Sequence, residues 1–81
     1  MTTFIVESYL PGVSDVDLRR VAPALPGRRE VRYLRSIFMP HDETCFHLFE
    51  GPSVEAVRQV AELAAIRFER IVEAVQLNPA A

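Results

Sequence analysis

The chain has 81 residues, nine basic and eleven acidic, and a formal net charge of −2, so no global field draws it to nucleic acid or to an anionic membrane. Apolar residues make up 49% and charged residues 25%, the balance of a folded globular domain and not of a disordered chain. The length allows one domain, residues 1–78 with a short tail at 79–81, whose core is small enough that a second copy would help to hold it. One cysteine excludes an intramolecular disulfide, and there is neither a secretion-type start nor an apolar run of about 20 residues that could span a bilayer. A cytoplasmic location is therefore expected.

Phe4 to Leu10 mixes β-branched, aromatic and polar residues and stops at Pro11-Gly12, which predicts a strand with Phe4, Val6 and Ser8 on one face and Ile5, Glu7 and Tyr9 on the other. Ser14 with Asp17 three residues on resembles a capping box, and Val13, Val16, Val21 and Leu25 supply an apolar side, so a helix follows. Pro23 should kink it or end it before Pro26-Gly27. Arg28, Arg29 and Arg32 read as a solvated basic loop and strand edge.

Val31 to Met39 is the second strand, with Val31, Tyr33, Arg35 and Ile37 alternating against Arg32, Leu34, Ser36 and Phe38. The polar connection Pro40 to Glu43 has hairpin length, so this strand should pair antiparallel with Thr44 to Glu50. His41 belongs to that turn. Ser53 is a good N-cap, Glu55 lies in the first turn, and Val54, Val57, Val60, Ala61 and Ala64 recur at helical spacing. A last strand falls within Phe68 to Leu77.

The order strand, helix, strand, strand, helix, strand is the α+β, ferredoxin-like βαββαβ arrangement: a four-stranded antiparallel sheet with two helices on one face and the first and third strands inside. Leaving the other face in water would cost about 25 cal/mol per Å² of apolar surface, so the chain is expected to form a homodimer through its open faces, a dimeric α/β barrel enclosing a central space. If Phe4, Val6, Phe46 and Leu48 pack under the helices, then Ile5, Glu7, Tyr9, Cys45, His47 and Phe49 face that space, with Tyr33 and Arg35 nearby.

Two chemistries suit that set. His47, Glu7 and Cys45 are an imidazole, a carboxylate and a thiol, credible ligands for nickel or another divalent transition metal such as zinc or copper. Alternatively His47 and Glu7 act as acid and base of an oxygenase, isomerase or cyclase type of enzyme, with Tyr9, Tyr33, Arg35 and Phe49 holding a small-molecule ligand. A third reading is a non-catalytic structural or regulatory dimer. Glu50 falls on the face opposite His47 and reads as a structural contact.

The segments Phe4–Glu7 (FIVE), Val31–Ser36 (VRYLRS) and above all Phe49–Val57 (FEGPSVEAV) resemble the small actinobacterial-type domains of unknown function often labelled nickel-binding proteins, over nearly the whole chain. The resemblance implies a ferredoxin-like fold, a dimer and nickel. It also implies a cysteine where this chain has His47, and a histidine in the second helix near Ala61; Glu7 matches the family's first-strand acid.

Overall fold

The computed structural model describes residues 1–13 and 30–79. The chain order among them is β1 (Thr2–Tyr9), β2 (Arg32–Met39), β3 (Thr44–Gly51), helix α1 (Val54–Leu63) and β4 (Arg70–Ala74). The four strands form one antiparallel sheet in the order β2-β3-β1-β4, so the first and third strands are the inner pair and β2 and β3 make the expected hairpin. This is an α+β fold with one helix among the described residues. The helix expected from Ser14 lies outside them.

Helix α1 begins where the sequence signals it. Ser53 is extended (φ −159°), and its hydroxyl accepts a hydrogen bond from the Ala56 amide at 3.2 Å, satisfying one of the free donors of the first turn. Ser53→Ala is expected to lower stability by about 1 kcal/mol, read as a shift of the urea midpoint at unchanged slope. At the other end Ala65 takes a left-handed conformation (φ 58°), with Ile66 N donating to Ala61 O and Ala65 N to Glu62 O. Those two bonds are a Schellman stop, in which glycine is the favoured residue because a Cβ is strained there. Ala65→Gly is therefore expected to stabilise the protein by about 0.5–1 kcal/mol in the same assay.

The core lies between α1 and one face of the sheet: Phe4, Val6, Val31, Phe49, Val57, Val60 and Ala61, with Tyr33, Ile66, Phe68 and Ile71 at its margin. Gly51 lets the helix sit close, since a Cβ there would meet a Val57 methyl at 3.1 Å.

Two face assignments differ from the expected ones. Residues opposed across an antiparallel ladder share a face, and the β1–β3 register opposes Phe4 to Phe49, Val6 to His47 and Ser8 to Cys45. Phe49, His47 and Cys45 thus lie on the helix side, while Phe46 and Leu48 face away with Ile5 and Glu7, the reverse of the predicted arrangement of β3. The second difference is a bulge in β2, where Tyr33 opposes Phe49 and Arg35 opposes the next residue, Leu48. The extra residue, Leu34, switches the alternation, so that Tyr33, Ser36 and Phe38 share the helix side while Arg35 and Ile37 share the other.

Candidate functional site

The bulge and the β3 register together bring five polar side chains to the helix side of β1, β2 and β3. His47 is opposed by Val6 on one flank and Ser36 on the other, and Cys45 by Ser8 and Phe38. Tyr33 Oη lies 2.7 Å from Ser36 Oγ, Ser36 Oγ lies 2.7 Å from His47 Nδ1, and Cys45 Sγ is 3.8 Å from the same nitrogen. Without the bulge Tyr33 and Ser36, three residues apart, would point to opposite faces. The ring of Tyr33 also packs against Phe49, centroids 5.5 Å apart.

Burial sets the electrostatics. Cys45 is fully buried and His47 is 6% exposed. Desolvation pushes the Cys45 thiol above its ordinary range, partly offset by hydrogen bonding with Ser36, and holds the His47 imidazole below its usual value. Both are uncharged at neutral pH. The Tyr33–Ser36 and Ser36–His47 bonds can run in either direction along the chain, the direction being set by which ring nitrogen of His47 carries the proton. Ser8 completes the cluster: its hydroxyl oxygen is buried and has no hydrogen-bond partner among the described residues.

The remaining predicted site residues are elsewhere. Glu7 opposes Phe46 on the far face, and its carboxylate accepts from Arg70 Nε at 2.8 Å, because β4 flanks β1. Arg35 is exposed on that same face, Tyr9 is exposed at the strand end, and Phe49 is a core residue. Glu7 and His47 therefore do not form an acid–base pair, and His47, Glu7 and Cys45 do not converge on one metal; the sheet separates them. His41 lies in the exposed turn and Glu50 stands 3.7 Å from Arg32, both as read from the sequence. Ser8 and Ser36 were not anticipated. Ser8 shares a strand face with Val6, which was legible, but its neighbour depends on the β3 register; Ser36 reaches the cluster only through the bulge.

Among the described residues no three His, Cys, Asp or Glu side chains come together as a metal-holding group. The two donors present, one imidazole and one protonated thiol, fall short of the four to six that a nickel ion takes in square-planar or octahedral sites. No described helix is long and apolar enough to cross a membrane.

A comparison with curated proteins gives no match. Among solved structures the chain is similar to the crystal structure of SCO4226 from Streptomyces coelicolor A3(2), at 25% identity and a TM-score of 0.80, over 94% of this chain and 99% of that one. The family model described as nickel responsive protein SCO4226-like matches residues 4–74, nearly the whole chain, and the protein belongs to that family.

Proposed function

We propose that the protein is a ferredoxin-like homodimer that serves nickel response as a binding protein, its two copies joined through the sheet faces turned away from α1. The strand order and the family support the fold reading. One observation carries the dimer: the far face is apolar at its centre and paired at its flanks. Val72, Ile5 and Leu48 form one row across the sheet and Phe46 and Ile37 continue the next, with Ile37 45% exposed. The Glu7–Arg70 pair completes the second row beside Phe46, and the Glu50–Arg32 pair borders the first. Four strands about 4.8 Å apart and roughly 20 Å long give a whole face on the order of 400 Å², of which these apolar side chains form the centre.

Nickel enters through the family, and the described donors of one chain do not complete a site for it. A site shared between copies satisfies both facts. Light scattering should find twice the 9.2 kDa chain mass at micromolar concentration, and Phe46→Asp, which buries a charge in the proposed contact, should give a monomer. Equilibrium dialysis of the untagged wild type should show saturable nickel uptake that the monomeric variant loses. A monomeric wild type removes the dimer, and a wild type without uptake removes nickel binding.

A further inference from the structure

Among the described residues four large apolar side chains are more than two-thirds exposed, and three of them stand at one end of the sheet: Met1 (76%), Val75 (77%) and Leu77 (86%). The ladder between β1 and β4 ends at the Thr3–Ala74 pair. Past it the chain is held beside the start of β1 by a side chain, Gln76 Nε2 donating to Thr3 Oγ1 at 3.2 Å. Residues 1–3 and 73–76 thus bound an open groove of about 360 Å³.

Two observations join this end to the dimer contact. The first is position. Thr3 and Ala74 belong to the row Arg32, Glu50, Thr3, Ala74, which lies beside the apolar row of Leu48, Ile5 and Val72 on the far face, so the groove prolongs that face at its end. The second is area. The far face spans on the order of 400 Å² and only its centre is apolar, whereas a stable dimer buries about 800 Å² on each partner. Met1, Val75 and Leu77 add on the order of 300 Å² of exposed apolar surface, most of the shortfall. The fourth exposed side chain, Leu63 (70%), belongs to α1 on the opposite side of the sheet and cannot join the same contact.

We propose that the segment Val75–Leu77, with Met1 beside it, is the outer part of the homodimer contact, each copy laying it on the second copy where the far faces meet. The inference rests on the face-to-face dimer read above and is independent of the metal. Under two-fold symmetry the segment is used twice, so one substitution acts at two places in every dimer. In the single chain these side chains are in water, so replacing them leaves the fold intact.

Sedimentation equilibrium of the full chain is the test. The double variant Val75→Asp/Leu77→Asp should raise the dimer dissociation constant about a hundredfold, roughly tenfold for each side chain that no longer leaves water. Leu63→Asp, similarly exposed but on α1, should stay within about twofold of the wild type, and circular dichroism should show each variant folded. A dimeric wild type beside a folded double variant of unchanged dissociation constant would overturn the proposal and leave the sheet-face contact standing. An equal loss in Leu63→Asp would overturn it too, because the effect would then be general apolar association. A monomeric wild type overturns both readings. Should the double aspartate variant fail to fold, Val75→Ser/Leu77→Ser decides, with a rise of about tenfold expected and an unchanged constant counting against the proposal.

Discussion

Phe49→Ala is expected to cost about 3–5 kcal/mol, enough to unfold much of the population, while Phe46→Ala, one turn of the pleat outside it, should cost the isolated chain far less. Phe49 is fully buried, faces Phe4 across the ladder and meets the Tyr33 ring, so truncation leaves a cavity in the middle of the core. Total stability for a chain of this size is only about 4–12 kcal/mol, so one such cavity removes a large share. Phe46 lies three residues before Phe49 on the opposite face and is only partly buried. Dilution separates the two effects: the Phe49 loss should persist at every protein concentration, whereas any Phe46 loss that comes from the proposed dimer contact should shrink on dilution. The readout is a urea denaturation series at two concentrations. If Phe46→Ala were the more damaging in dilute protein, the face assignment of β3 would be reversed.

That contrast also marks how far the sequence could be read. The strands, the helix from Ser53 and the inner position of the first and third strands followed from turn signals, capping and alternation, which are local. The inward face of β3 did not, because both of its faces carry aromatic or apolar side chains: Phe46 and Leu48 on one, Cys45 and Phe49 on the other. Alternation says which residues travel together and is silent on which set meets the helix; only the pairing of Phe4 with Phe49 settles it. The bulge at Leu34 was less legible still, since no glycine or proline marks it, yet it moves Ser36 to the side of His47. Glu7 shows the opposite case. A carboxylate in a central strand needs a partner, and which residue supplies it, Arg70 of β4, depends on the register of a short edge strand, a tertiary property.

Stability should fall as pH is lowered from about 7 toward 5, and His47 should be the residue responsible. Burial holds the folded imidazole below its ordinary value, while the unfolded chain titrates near about 6.5. The unfolded state therefore binds more protons than the folded state in the window between those two values, and stability declines as pH falls through it, with a limiting slope of about 1.4 kcal/mol per pH unit for one group. Above the unfolded value the contribution is fully present; below the folded value the loss stops growing. Neither a thiol nor a hydroxyl takes up a proton on acidification, so within the cluster only the His47 imidazole gains charge. A protonated ring carries hydrogen on both nitrogens, so Nδ1 can then only donate to Ser36 Oγ and cannot accept from the Cys45 thiol. The measurement is the urea midpoint from pH 5 to 8 for the wild type, His47→Gln and His41→Gln. His47→Gln should flatten the dependence in this window, and His41→Gln, at the exposed turn, should retain it; a slope that survives in His47→Gln would assign the acid sensitivity to another group and leave the buried imidazole as a packing residue.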